Sequence, residues 1–317
     1  MSEHNRIKWS KEKIIFELKR RAEEGKPNSL RSCPNLIMAA RRYFGSINKA
    51  KKIAGVPIKR YHGWSKSLSK SAKKPSPEMG YVIGAMLGDG SVEDNTTYHP
   101  YQCSLEVVDK DFILYFIKKF EEWTGYKLLL SKNTRKSYFV RTCRKEVNQI
   151  LSKYKNNPLL CLHFPLNVQK QVLKGLFDAE GHAIPLSKNA VEIGITNYDK
   201  KIILLLKQIL TNNDIVFKSY ERRKCKEIVI RRMSEVLKFI ENINGITIQR
   251  KYNKIKFRLE KAKQLKNLYY HVFYLHKQGW SGQKIWEITG KVVHRSTIQE
   301  WLYCNDAPFS VRKRIVL

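Results

Sequence analysis

The stretches Val82-Ile83-Gly84-Ala85-Met86-Leu87-Gly88-Asp89-Gly90 and Leu173-Lys174-Gly175-Leu176-Phe177-Asp178-Ala179-Glu180-Gly181 decide how this chain is read. They are two versions of one pattern: small residues four apart, then an acid, then a glycine. Such a repeat, with matched surroundings, marks a duplicated unit. On a helix, residues four apart share a face, so Gly84 and Gly88 form one smooth stripe and Gly175 and Ala179 another. Two smooth stripes let helix backbones approach closely. Gly90 and Gly181 are expected as left-handed caps just past each acid. Asp89 and Glu180 then fall where the negative end of the helix dipole disfavours a carboxylate by about 0.3–1 kcal/mol. A local rule broken twice in the same place marks a functional site. Two converging carboxylates repel unless a cation lies between them. A hard divalent ion such as Mg2+ takes oxygen ligands and keeps several waters, so two acids plus a substrate phosphate make a site. That is the chemistry of metal-assisted phosphodiester hydrolysis.

The surroundings match. After the first pattern, Cys103-Ser104-Leu105-Glu106-Val107-Val108 alternates like a strand, and an apolar helix follows from Phe112 to Trp123. After the second, Val191 to Thr196 reads as a strand and Lys200 to Leu210 as a helix. Each half adds a β-prone stretch, Tyr138–Arg141 or Glu227–Arg231, and another helix. One Gly-Asp-Gly alone would read as a helix stop and a turn. Two copies with the same downstream order favour a nuclease.

Both patterns resemble the LAGLIDADG motif of homing endonucleases in the two-motif, single-chain form. The ninth-position glycines and eighth-position acids match in both copies; the sixth-position acid matches only as Asp178, since the first copy has Leu87. The resemblance covers roughly residues 77–260 and implies an α+β fold: a pseudo-symmetric duplicated core with two curved antiparallel sheets forming one saddle around a central helix pair. It places the metal at Asp89, Glu180, Gly88 and Ala179, with Mg2+ or Mn2+ as the ion. Asp109 and Asn197 fall where polar groups flank the family's metal and water pocket. Lys251 sits where a basic residue approaches the scissile phosphate, with Lys254 the competing choice and no clear equivalent in the first half.

Composition fits a phosphate-binding partner. With 61 Lys and Arg against 28 Asp and Glu, the formal charge is +33, an excess that needs an anionic partner. Basic residues mix with aromatics along the expected sheets: Arg135, Lys136, Tyr138 and Arg141 in one half, Lys218, Tyr220, Arg222, Arg223 and Arg231 in the other. These are the expected DNA-binding residues of the core. The six cysteines show no CxxC pair, which disfavours a zinc site or thiol catalysis. The polar start lacks a signal-peptide core and no apolar run reaches membrane-spanning length, so the expectation is an intracellular protein, cytoplasmic (nucleoid) or organellar, with no membrane partner.

Two smaller modules flank the core. Residues 1–58 read as three short helices, with Ser10 capping the first, Pro34 opening the second and Ser46 the third. They resemble the helical repeat found beside homing endonucleases, a DNA-contacting accessory or a packing appendage. Residues 59–76 form a basic, Ser-rich linker. The core halves are expected over residues 77–167 and 168–261. Residues 262–317 are expected as helices from Leu268 to Gln278, Gly282 to Thr289 and His294 to Tyr303. This spacing resembles helix-turn-helix domains that place the last helix in the major groove. Arg295, Ser296, Thr297 and Gln299 are its candidate readers, with Ile298, Trp301 and Leu302 facing inward. A helical cap and a protein contact are the alternatives.

The expectation is therefore a monomeric, site-specific, Mg2+-dependent endonuclease acting on double-stranded DNA at a long asymmetric target, encoded in an intron or a free-standing mobile element. An intein is disfavoured by Met1 and by an end lacking His-Asn. The rivals are an RNA maturase, for which intron RNA is the partner, and a catalytically silent transcription regulator.

Overall fold

The computed structural model describes residues 9–24, 34–56, 67–93, 101–133, 136–187, 189–221, 225–304 and 306–311. The chain divides into two units, Met1–Lys66 and Ser67–Leu317. In the first unit, α1 (Lys11–Glu23) is capped by Ser10, whose Oγ accepts from Lys13 N at 3.2 Å. α2 (Pro34–Phe44) opens on its proline and α3 (Ile47–Ile53) is capped by Ser46. Ile14, Leu18, Leu36, Ala40, Ala50 and Val56 close a small core of their own.

The second unit begins in the stretch expected as a linker, but from Leu68 onward that stretch is anchored. Leu68 and Ala72 are buried in the main core, and Trp123 Nε1 donates to Ala72 O at 2.8 Å. Residues 59–66 of the expected linker lie outside the described residues. α4 (Pro77–Gly88) carries the first pattern and leads into β1 (Gly90–Val92) and β2 (Cys103–Val107). α5 (Lys110–Thr124), β3 (Ser131–Lys132), β4 (Tyr138–Thr142) and α6 (Lys145–Asn156) complete the first half. α7 (Leu166–Glu180) carries the second pattern, followed by β5 (Gly181–Pro185), β6 (Val191–Asn197), α8 (Lys200–Asn212), β7 (Lys218–Glu221), β8 (Lys226–Ile230) and α9 (Met233–Asn242).

The two halves have the same topology. One antiparallel sheet has strand order β1-β2-β4-β3 and the other β5-β6-β8-β7. In β2, Cys103, Leu105 and Val107 face the core with Ser104 and Glu106 between them less buried, the period-two burial of a strand covered on one side. By contrast, β6 carries Ile193 and Ile195 into the core and is buried at every position but Thr196. The fold is α+β, with a single continuous core through both halves.

α10 (Gln249–Lys277), α11 (Gly282–Ile288) and α12 (Arg295–Tyr303) are the last helices among the described residues. The helix expected to begin at Leu268 is the second half of α10, which runs unbroken for 29 residues. Nothing in the sequence stops it earlier, since residues 249–277 contain neither Gly nor Pro. It ends at Gly279, whose φ of 85° lies in the left-handed region, and Gly290 closes α11 likewise at 69°.

Gly90 and Gly181 correct the expected left-handed caps. Neither has positive φ; Gly181 is extended at φ −82°, ψ 155°, and both residues open strands. Glycine is required here by space. A Cβ on Gly90 would lie 2.6 Å from Met86 O, and one on Gly181 2.4 Å from Phe177 O. The chain folds back so tightly on its own last turn that no side chain fits.

Candidate functional site

The site is built by the crossing of α4 and α7. A Cβ on Gly84 would meet Val172 O at 2.1 Å, and one on Gly175 would meet Tyr81 O at 2.3 Å. Gly80 extends the stripe by a turn, 2.7 Å from Val168 O in the same sense. At the far end a Cβ on Gly88 would stand 2.5 Å from Ala179 Cβ and 3.0 Å from Glu180 Cγ. Gly88 and Ala179 thus act sterically: their contact lets the C-terminal ends of the two helices converge.

That convergence brings the acids together. Asp89 is the exposed residue that caps α4, and Glu180 is the half-buried last residue of α7. Desolvation holds the Asp89 carboxyl above the usual range, opposed by Lys251 and Lys155. Desolvation also raises Glu180, and the charge of Asp89 adds to it, again opposed by Lys251 and Lys155. Like charges that each raise the cost of ionising the other form a site that a cation would relieve.

Two lysines frame the acids. Lys251, in the first turn of α10, is buried, and its Nζ donates to Phe177 O at 3.0 Å and Asp178 O at 2.7 Å. Burial lowers it from the ordinary 10.5 to about 8, with Asp178, Asp109 and Asp89 acting in the other direction. Lys254, the competing choice, is exposed. The first half has a counterpart that the sequence reading missed. Lys155, in the last turn of α6, donates to Met86 O at 3.0 Å and to Gly90 O. Met86 and Phe177 occupy the same fifth position of the nine-residue pattern, so both lysines cap the same carbonyl of a motif helix. Their elements differ, the end of α6 against the start of α10, so alignment of the halves could not pair them.

Asp109 and Asn197 do not play matching parts. Gly90 pairs with Leu105 in β1–β2, and Gly181 pairs with Ile195 in β5–β6. Asn197 therefore corresponds to Val107, while Asp109 corresponds to Asp199; these two aspartates hold the N-cap positions of α5 and α8. Asn197 Nδ2 donates to Glu180 Oε1 at 3.3 Å, inside the site. Asp109 instead accepts from Arg250 at 3.0 and 2.9 Å, and that guanidinium holds its carboxyl low. Asp109 anchors the first turn of α10, and through it Lys251, rather than touching the acids. Asp178 sits one layer deeper. Its Oδ2 accepts from Tyr81 of the other half at 2.8 Å, and burial pushes the carboxyl up.

A divalent cation fits this donor set in part. Asp89 and Glu180 supply two hard oxygen ligands at an opening to solvent, and water and phosphate oxygens would supply the rest. Among the described residues, no group of three or more His, Cys, Asp or Glu is placed to hold an ion without such help.

The expected DNA-contacting side chains divide by face. Arg141 is exposed on the outer face of the first sheet, 5.9 Å above the Phe139 ring. Tyr138 lies on the inner face and packs against the core, because it pairs with core-facing Val107. Lys136 is exposed in the turn before β4. In the second sheet Lys218 and Tyr220 pair with Val229 and Glu227, away from the core face carried by Ile228 and Ile230. Arg231 pairs with Glu192 and lies over the Tyr220 ring at 5.5 Å. Arg135, Arg222 and Arg223 lie outside the described residues. On α12, Arg295, Ser296 and Gln299 are exposed and Thr297 half-buried, while Ile298 and Trp301 are buried beneath. No described helix is long and apolar enough to cross a membrane.

Comparison with known proteins gives two family matches. Residues 167–244 match the LAGLIDADG-like domain and residues 78–155 the WhiA LAGLIDADG-like domain. A protein of Methanocaldococcus jannaschii, the uncharacterized MJ0398, is 25% identical over 198 residues, covering 61% of this chain and 69% of its own. Among solved structures, the homing endonuclease I-WcaI bound to its DNA recognition sequence is 17% identical at a TM-score of 0.46, covering 65% of this chain and 96% of its own. The structure of I-DmoI in complex with DNA and Mn is also 17% identical, at a TM-score of 0.44, covering 54% and 97%. The chain carries two LAGLIDADG-like domains.

Proposed function

We propose that this protein is a monomeric, site-specific endonuclease that hydrolyses phosphodiester bonds in double-stranded DNA at a long asymmetric target, with Mg2+ or Mn2+ held by Asp89 and Glu180. The observation that carries this reading is the convergence of the two acids at the end of a glycine-lined helix crossing. A fold needing only stability would gain nothing from two mutually repelling carboxylates at helix C-termini. The ion would supply Lewis acidity and an activated water. The chain's own groups do the rest. Asn197 orients Glu180 and stands where it can hold a water, and Lys155 and Lys251 set positive charge behind the acids, toward the phosphate. The exposed Arg141, Lys218 and Arg231, the outward Tyr220, and the α12 residues Arg295, Ser296, Thr297 and Gln299 would contact the duplex. The charge of +33 supports an anionic partner of this size.

The test uses duplexes that the chain selects from a random-sequence pool, then exposed to Mg2+. Asp89→Asn and Glu180→Gln should each lower cleavage by orders of magnitude while binding stays within a few-fold. Wild-type cleavage rates in both variants would remove the assignment of the acids.

A second reading, a DNA binder that does not cut, is favoured by one observation: the first half matches the WhiA LAGLIDADG-like domain, and its pocket has Val107 where the second half has Asn197. Selected duplexes that remain intact in Mg2+ and in Mn2+ would establish it.

A further inference from the structure

The C-terminal three-helix module is fastened to the core at two places. The first is α10 itself. Ile255, Leu259 and Ala262 lie in the main core, and Leu265, Leu268, Tyr269 and Val272, on the same unbroken helix, enter the module's core with Ile285, Ile298 and Trp301. Polar ties hold the helix along this span: Arg258 to Ser187 O at 2.6 Å, Lys261 to Asn189 Oδ1 at 3.0 Å and Lys266 to Glu241 at 3.1 Å. The second fastening is the chain beyond α12. Pro308 and Ser310 are buried, Phe309 packs against the main core, and Val311 N closes a turn on Pro308 O at 2.8 Å. A module joined by a flexible tether has no need of that return.

We propose that the module is a fixed-reach reader of duplex DNA. α10 and the Phe309 anchor hold the exposed face of α12 at one distance and one rotation from Asp89 and Glu180, so the protein demands a set number of base pairs between its central site and its outer contact. This rests on the duplex-DNA reading proposed above. Lys251 stands at the start of α10 beside the acids, and Val272 stands in the module's core near the other end. A helix of 29 residues spans about 43 Å at about 1.5 Å per residue. One added base pair moves the outer contact by about 3.4 Å and turns it by roughly 35° around the duplex. A stiff, doubly anchored rod cannot follow both displacements, whereas a flexible linker follows them at little cost.

The experiment takes duplexes selected from a random-sequence pool by the full-length chain and maps protection by the uncut Glu180→Gln protein. One, two or three base pairs are then inserted between the central and outer protected segments. Affinity should fall about tenfold or more with two inserted pairs, and outer protection should vanish while central protection persists. A chain with a Gly-Ser-Gly-Gly-Ser insertion between the exposed Lys263 and Gln264, together with Phe309→Ala, should bind all spacings within a few-fold. Equal affinity of the unaltered chain for every spacing, with outer protection following the insertion, would overturn the fixed reach even if the altered chain fails to fold. Central protection with none outside would also overturn it, leaving the core reading intact. Failure to select any duplex would overturn both.

Discussion

Lys251 Nζ lies 2.7 Å from the main-chain oxygen of Asp178, inside the last turn of the helix whose final residue is Glu180. Asp178 O is one of the last helix carbonyls, which have no helical partner, while Phe177 O, the other acceptor of Lys251, also takes the Gly181 N–H. A carboxylate next to them is disfavoured. The ammonium satisfies two carbonyls and offsets the acid at once. Lys155 does the same at Met86. The pattern's breach of the dipole rule is therefore answered by a cation from elsewhere in each half.

Burial makes that arrangement dependent on pH. Lys251 falls to about 8 in the folded chain, below the ordinary 10.5. Below about pH 8 both states carry the proton and the folded state bears a buried charge. Between the two values the unfolded chain holds more protons, so this group's contribution to stability rises with pH across that window. Against Lys251→Met, the unaltered protein should gain relative stability between about pH 8 and 10.5 in denaturant melts. A difference that stays constant would contradict the buried ammonium.

Gly84 is the tightest point of the helix crossing, and Ala there would press its Cβ to 2.1 Å from Val172 O. Backbone cannot yield as a side-chain tip can, so Gly84→Ala should cost about 3 kcal/mol or more, at or beyond the upper end of overpacking. It should also lower cleavage by separating the acids. Gly125→Ala is the contrast: no atom lies within 4 Å, but φ is +70°, so strain alone applies, about 1–2 kcal/mol. Its cleavage should be unchanged per folded molecule. Equal losses of activity in both variants would show that the approach of α4 and α7 does not set the site.

The charge on the outer faces of the sheets gives a salt test. Log affinity for duplex DNA should fall linearly with log salt, with a slope of about −0.9 per neutralised phosphate. Lys218, exposed on β7, should account for about one such unit when replaced by Ala, while Gln299→Ala on α12 should leave the slope alone. A slope untouched by Lys218→Ala would take that strand off the DNA face.

How far the sequence reveals this molecule depends on the range of the interaction. The helices other than α10, the strand Val191–Asn197 and the Ser10 and Ser46 caps follow from local periodicity and capping chemistry, and the smooth stripes follow from spacing, whereas the unbroken start of α10 at Gln249 does not. The convergence of Asp89 and Glu180 was legible because the repeat itself encodes it. Lys155 was not, since its partner carbonyl is 69 positions away and its element differs from that of Lys251. Asp109 looked equivalent to Asn197 because both end a strand. Only the register, Gly90 with Leu105 against Gly181 with Ile195, shifts them by two residues. Gly90 and Gly181 were read by conformation when contact with the preceding turn is what selects them.

That two-residue shift makes the site unequal. Glu180 receives a hydrogen bond from Asn197, whereas the matching place beside Asp89 is filled by Val107, a side chain that can neither donate nor accept. An orienting hydrogen bond fixes a carboxylate and a water in the geometry the reaction needs, and its removal commonly lowers rate without abolishing it. The two strands of the duplex should therefore be cut at different rates, with a nicked intermediate visible when each strand carries its own label. Asn197→Ala should slow the faster strand by about ten- to a hundredfold and change the slower one little, so the strand bias shrinks. Binding to the uncut duplex should stay within a few-fold, which separates lost orientation from lost contact. Equal slowing of both strands by Asn197→Ala would mean that the asparagine supports the whole site and that Val107 is no handicap to its half.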